Sequence, residues 1–353
     1  TRSFHVTGVQ TCALPILSSA FGTGKTPESI AMNTAEQMAT QLNATVRPHV
    51  QVTAIEPAKH AVHLNQETLQ YSKLVLALGA DQIRLTISGN AAESVLTVND
   101  LTDYAHFRAA VAGKESVAVI GGGLIGCEFA NDLTSGGYKV SVIDIATQPL
   151  PRLLPPEGSA MLKQKLEALG VDWHLGTSVT AIDKHGDKLK LTLANGGTIE
   201  VDIVLSAVGL RPRIALPQAA GLKTNRGIVV DRHLATSDPD VYSLGDCAEV
   251  AGLVLPYVMP LMNSARALAA TLAGKATAVS YPAMPVLVKT PACPTIVSPP
   301  AAGVEGQWVV AADADGVKSL YQDAAGKLQG FALNGKATAE RAALTQQLPA
   351  VLT

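Results

Sequence analysis

An α/β fold is predicted for this 353-residue chain, and three observations predict it. Short apolar runs alternate with helix-spaced stretches through the middle of the sequence, the pattern of a buried parallel sheet covered by helices. One run, Lys114–Ile120 (ending SVAVI), opens directly into a glycine bend, Gly121–Gly126 (GGGLIG). Two others, LVLALGA and VLSAVGL, share a strand-glycine ending, one in each half of the chain. That repetition implies two related Rossmann-like dinucleotide-binding units. From Ala276 onward the composition turns Pro-rich and then hairpin-like, which adds a small C-terminal α+β domain.

Composition narrows the function classes. Apolar residues make up 47% of the chain, enough for more than one core, while charged residues are 16% and the net charge is −2. No run of Lys and Arg tracks a nucleic-acid backbone. No stretch of about 18 uncharged apolar residues suits a membrane-spanning helix. The four cysteines, Cys12, Cys127, Cys247 and Cys293, are far apart, without a CxxC pair. They predict neither a disulfide framework nor a metal site, and they fit a reducing, cytoplasmic setting. His60 and His63 are assigned to an alternating strand, where a spacing of three puts them on opposite faces.

Taken in order, residues 1–16 fit no periodic pattern and carry no strand or helix. They are expected to be a non-native or disordered segment. FGTGKT at Phe21–Thr26 imitates a phosphate-binding loop, but Ser19 stands where the first glycine belongs, so a plain turn is expected. Helical spacing covers Ser29–Leu42, short strands fill Val46–Leu69, and Leu74–Leu78 is a buried strand ending at Gly79. Asn99 or Asp100 caps a helix running to about Ala112. Beyond the glycine bend come a helix to Ser135, the strand Lys139–Asp144, the helix Pro156–Leu169 and the strand Val171–Leu175. Val179–Asp183 and Leu189–Leu193 alternate around HGDK, Asn195–Gly197 is a turn, and Asp202–Val208 is a buried strand ending at Gly209. RGIVVD and DVYSLGD read as two more strands, and Asn263–Ala273 as an apolar helix.

The glycine bend carries the chemistry. A GxGxxG alone is weak, but this one follows an apolar strand, opens a helix, and has an acid at the end of the next strand. That acid is Asp144, 23 positions beyond Gly121. Gly121 permits the tight turn. Gly123 leaves room for a diphosphate, and Gly126 lets the helix pack against the strand. The free amides at the helix start, from Leu124 and Ile125, face the phosphates. Asp144 suits both ribose hydroxyls and repels a 2′-phosphate, so NADH is favoured over NADPH. Glu128 in the first helical turn is either a dipole-matched surface acid or a group facing the nicotinamide end of the cleft. Asp246, after Gly245 in VYSLGDCAEV, suits a ribityl or ribose hydroxyl, or else caps a helix.

GGGLIGCEFANDL, SAVGLRPR, RGIVVD, LGDCAEV and YVMPLMNSARALAATLAG together resemble the pyridine nucleotide:disulfide oxidoreductase superfamily. VKTPACPTIVSPP and SGGYKVSVID are similar to its bacterial rubredoxin–NAD(+) reductases. The resemblance spans Leu17 to the C-terminus. It implies an FAD domain (17–98 and 231–280) split by an NAD domain (99–230), then a C-terminal domain (281–353). It implies FAD and NADH as cofactors and rubredoxin as partner; the sequence leaves the oligomeric state open, a monomer being one option. Gly209 would line the NAD cleft. Gly245 and Asp246 would hold the FAD ribityl and pyrophosphate region, and Val52 would meet the adenine through its backbone. Ala77, Leu78 and Gly79 would line the flavin nucleotide crevice. The helix starting near Val258 and Met259 would aim its amides at the flavin pyrimidine edge, with Lys289 beside it.

One departure stands out. Family members open with a strand and a GxGxxG of their own for the FAD ADP moiety, and this chain lacks both. The family's Ser-Lys-Pro-x-Leu-Ser survives only as Pro15-Ile16-Leu17-Ser18, with Leu14 in place of the lysine. Weak FAD binding is therefore expected. The absence of a CxxxxC pair argues against a disulfide-reducing member. The competing expectations are a ferredoxin-type reductase serving an oxygenase and a non-catalytic NAD-binding fragment.

Overall fold

The computed structural model describes His5–Val6 and residues 17–353. Its centre is a five-stranded, all-parallel sheet in the spatial order Val171–Leu175, Lys139–Asp144, Ser116–Ile120, Ile203–Ser206, Leu96–Thr97. All five residues of Ser116–Ile120 are buried, because neighbours cover both faces of that strand. Strand alternation sorts the faces. Val117, Val119, Val140, Val142 and Leu205 pack with residues of the helices Leu101–Val111, Leu124–Ser135 and Pro156–Leu169. Ala118, Ile120, Ile143 and Val204 pack with a three-stranded antiparallel meander formed by Val179–His185, Lys188–Leu193 and Thr198–Val201.

Local chemistry sets the boundaries. Asp100 is the N-cap of Leu101–Val111, accepting from Asp103 N at 2.8 Å, while Asp103 accepts from Asn99 N at 2.9 Å. Pro stands at the first position of Pro156–Leu169, and Gly170 ends that helix in the left-handed region. The helix expected over Ser29–Leu42 is broken in two, Pro27–Ile30 and Ala35–Leu42. Thr34 makes a capping box with Gln37, which starts the second helix afresh. The meander strands run on to His185 and from Lys188, because the turn needs only Gly186 and Asp187.

A second region is assembled from smaller pieces. Leu74–Leu76 pairs in parallel with Val241–Ser243, and Ile228–Val230 with Ala248–Val250. Val52–Glu56, Ala61–Leu64 and Thr68–Gln70 form an antiparallel sheet. His5–Val6 forms a short parallel pair with Thr45–Val46, correcting the expectation that residues 1–16 carry no strand. The pairing rests on backbone hydrogen bonds, which that segment's missing periodicity cannot announce. The other positions of 1–16, Cys12 and Leu14 included, lie outside the described residues.

The two strand-glycine endings are tied together. Ala80–Gln82, just beyond Gly79, pairs antiparallel with Leu210–Pro212, just beyond Gly209. Ile83 N donates to Gly209 O and Arg213 N to Gly79 O, each at 3.0 Å. The C-terminal unit is a five-stranded antiparallel sheet in the order Val286–Val288, Thr295–Ser298, Leu328–Gly335, Gly316–Gln322, Gln307–Ala312. No described helix is long and apolar enough to cross a membrane.

Candidate nucleotide-binding cleft

The bend after Ser116–Ile120 is built as its glycines require. Gly121 sits at φ +112°, and a Cβ there would lie 2.7 Å from Ala207 O. A Cβ on Gly126 would lie 1.8 Å from Gly121 O, so no side chain fits between helix and bend. Gly123 is the N-cap of Leu124–Ser135 without a side-chain cap, and a Cβ added there would meet nothing within 4 Å. Open space therefore faces uncapped helix amides, the arrangement that suits an anionic diphosphate.

Asp144 ends the adjoining strand. Its Oδ2 accepts from Gly122 N, and its Oδ1 accepts from Ala146 N at 2.7 Å. The carboxylate thus pins the bend, and it has further lone pairs that these two bonds do not use.

Of the two sequence-based readings of Glu128, its burial overturns the surface acid: the residue is 1% exposed. Its Oε2 accepts from Lys289 Nζ at 2.6 Å and from Ser18 Oγ, and its Oε1 accepts from Lys289 N at 2.9 Å. Lys289 is correspondingly no free solvated lysine. The trio joins three distant segments: the stretch after residue 16, the helix at the glycine bend, and the residue that follows the strand Val286–Val288. Asp132, one turn further along that helix, accepts from Phe21 N at 2.8 Å and Gly22 N at 2.7 Å. That occupies the amides of the loop-like FGTGKT, which is a turn. Sequence reasoning missed Asp132 because its partners lie more than a hundred positions away.

The other predicted residues gather at a second place. Pairing of Leu74–Leu76 with Val241–Ser243 brings Ala77, Leu78 and Gly79 beside the turn Gly245–Cys247. Leu78 N donates to Cys247 Sγ at 3.2 Å. Gly79 and Gly245 both have positive φ, +70° and +79°. Asp246 is 8% exposed and has no hydrogen-bond partner among the described residues. Burial alone pushes its carboxyl up to about 6. It caps no helix. Val258 and Met259 form the first turn of Val258–Leu272, which starts five residues before the expected Asn263 and has no side-chain cap. Val52 begins its strand and packs, with Leu78, on the cluster around Ile55 and Leu76.

His60 and His63 do not share a strand. His60 ends the 3-10 turn Pro57–Lys59 in the left-handed region, and only His63 lies on Ala61–Leu64. No group of three or more potential metal ligands occurs among the described residues.

A family model described as "Pyridine nucleotide-disulphide oxidoreductase" matches residues 4–270, and one described as "Rubredoxin binding C-terminal domain" matches residues 278–348. The chain is 52% identical to a rubredoxin-NAD(+) reductase of Alcanivorax borkumensis, covering 96% of this chain and 89% of the relative. It is 46% identical to the enzyme of that name from Acinetobacter baylyi, covering 96% and 88%. Among solved structures, the ferredoxin reductase for the CYP199A2 system of Rhodopseudomonas palustris matches with TM-score 0.84 and 27% identity, over 95% of this chain and 85% of that one.

Proposed function

The chain belongs to the pyridine nucleotide-disulphide oxidoreductase family, and we propose that it is an NADH-dependent flavoprotein reductase passing electrons through FAD to rubredoxin. The observation that carries this is the open bend at Gly123, faced by uncapped helix amides, with Asp144 at the next strand end. The names of the two curated relatives and the match over residues 278–348 support rubredoxin as the acceptor.

FAD, when bound, supplies the chemistry that converts a hydride into single electrons. The residues present fit it: Asp246 is a buried carboxyl with no hydrogen-bond partner among the described residues, beside two glycines in left-handed conformation. Asp246 and Gly245 hold ribityl and pyrophosphate oxygens. Ala77, Leu78 and Gly79 line the nucleotide crevice, and the backbone at Val52 meets the adenine. The first turn at Val258 and Met259 presents amides that favour negative charge on the pyrimidine edge. Lys289 serves the same edge while Glu128 fixes its position. On the NADH side, Gly121, Gly123, Leu124, Ile125 and Gly126 cradle the diphosphate, Asp144 selects the unphosphorylated ribose, and Gly209 lines the cleft.

The division we assign is 17–98 and 231–280 to FAD, 99–230 to NAD, and 281–353 to the C-terminal domain. Among the described residues Cys127, Cys247 and Cys293 are buried free thiols, which supports a cytoplasmic setting. The likeness to the Rhodopseudomonas palustris ferredoxin reductase favours a second reading, transfer to a [2Fe–2S] carrier. Rates of NADH oxidation with purified rubredoxin and with a ferredoxin separate the two. Rubredoxin is expected to be the faster acceptor by about tenfold or more, and the opposite order would reassign the acceptor.

A further inference from the structure

Resting on the assignment of NADH and FAD, we propose that Asn131 and Asp132 are positioning residues for hydride transfer, holding Lys289 in register with the helix that faces NADH. That helix, Leu124–Ser135, presents uncapped amides at its first turn. One face of it also carries Glu128, Asn131 and Asp132, which are 1%, 3% and 5% exposed. Their spacing, i, i+3 and i+4, puts them side by side. Polar groups so deeply buried need partners, and each finds them outside the helix. Asn131 Oδ1 accepts from Ala292 N at 3.0 Å. Asp132 accepts from Phe21 N and Gly22 N. Both bonds bear on Lys289. Asn131 fixes its chain three residues on, where Glu128 already holds Lys289 N. Asp132 fixes the segment of Ser18, whose Oγ accepts from Lys289 Nζ at 2.8 Å.

Packing seats both segments on the same unit. The Phe21 ring meets Tyr104, Phe107 and Tyr138 edge-on, with centroids 5.9, 5.8 and 5.9 Å away. The Arg108 guanidinium lies 4.3 Å from its centroid. Leu17, Ala20, Val288 and Cys293 share the core between the parallel sheet and its helices. The helix thus runs about 12 Å from Leu124 to Asp132, with NADH-facing amides at one end and the ties to Lys289 along its flank. A misplacement of about 1 Å can cost about a hundredfold in rate, so a rigid link of this kind bears on the chemistry. Asp132 suits the task better than an amide would. Its two oxygens accept two backbone N–H groups at once, whereas Asn would turn its own amide nitrogen toward one of them.

The test sets Asn131→Leu, Asp132→Asn and Asp132→Ala against a control, Leu191→Ala, in the meander on the other face of the sheet. Leu191 is 0% exposed and belongs to the separate core there, so its truncation destabilises the fold without touching either segment. In the FAD-free chain, hydrogen exchange at Ala292 is expected to quicken about tenfold or more in Asn131→Leu, and at Phe21 and Gly22 in Asp132→Ala. In the FAD-loaded chain, single-turnover reduction is followed at rising NADH. The limiting rate is expected to fall about tenfold in Asn131→Leu and Asp132→Ala and less in Asp132→Asn, with the NADH Kd within about twofold of wild type because the glycine bend is untouched. Leu191→Ala is expected to keep the wild-type limiting rate. Should Asp132→Ala fail to fold, Asn131→Leu and Asp132→Asn decide. Unchanged exchange, limiting rates within about twofold of wild type, or an equal fall in Leu191→Ala would overturn the positioning role and leave the cofactor assignment standing. Wild type that NADH does not reduce would overturn the cofactor assignment, and the positioning role with it.

Discussion

The region around Gly121 and the region around Gly245 share a strand-glycine signature and differ in how they are held. The first is one continuous parallel sheet, sealed on one face by helices and on the other by a meander. Its ligand-facing bend is fixed by backbone contacts so close that glycine is compulsory. The second is divided among two-stranded ladders and a separate antiparallel sheet. It leaves a carboxyl, Asp246, buried with no hydrogen-bond partner among the described residues. A preorganised site spends little on ordering when its ligand binds, whereas a site with an unsatisfied buried group gains stability from the ligand that satisfies it. NADH is thus expected to meet a finished surface, and FAD to complete an unfinished one.

Substitutions sharpen that contrast. The largest effect is expected from Gly126→Val, whose added atoms collide with the Gly121 carbonyl. Overpacking of this kind should cost about 3 kcal/mol or more, read as a fall in the urea midpoint together with loss of NADH binding. A variant that still quenched on NADH addition with an unchanged midpoint would show that the bend relaxes freely. Glu128→Ala leaves Lys289 in place without its buried counter-ion and unties three segments. A destabilisation on the order of 3 kcal/mol is expected, with Glu128→Gln milder because its one amide oxygen can still accept from Lys289 N while its amide nitrogen can donate to Ser18 Oγ.

Asp246 tests the unfinished region through pH. Its folded-state pKa lies above the ordinary 3.8, at about 6, so the folded chain holds that proton more tightly than the unfolded one. The resulting stabilisation is complete below about pH 4 and is lost as pH rises through about 6. Asp246→Asn in the FAD-free protein should therefore raise stability at neutral pH by up to about 3 kcal/mol and flatten the melting temperature across that window. The same change should weaken FAD binding, since a carboxylate acceptor is gone. Unaltered FAD affinity would remove Asp246 from the flavin site. Asp144→Ala is expected to have the smallest effect. It should lower kcat/KM for NADH about tenfold and narrow the gap to NADPH, and an unchanged ratio would contradict the ribose assignment.

The sequence disclosed the first region far better than the second. Ser116–Ile120, Lys139–Asp144 and Pro156–Leu169 are legible because burial periodicity, a glycine bend and a proline start are local signals. Thr34 broke a helix that spacing alone extended, since a capping box competes with continuation. The partners of Glu128 were not legible. Ser18 lies 110 positions before it and Lys289 161 after it, and only packing of three segments reveals the ion pair. The flavin-side residues came from motif resemblance, and the structure adds the physical state of one of them, Asp246.

The most direct measurement mixes NADH, rubredoxin and the FAD-loaded protein without oxygen and follows both colours at once. NADH should disappear only when FAD is present, with a pair of rubredoxin irons reduced for each hydride given up. NADH that binds tightly yet stays unoxidised, or that is oxidised while rubredoxin keeps its oxidised colour, would contradict the account.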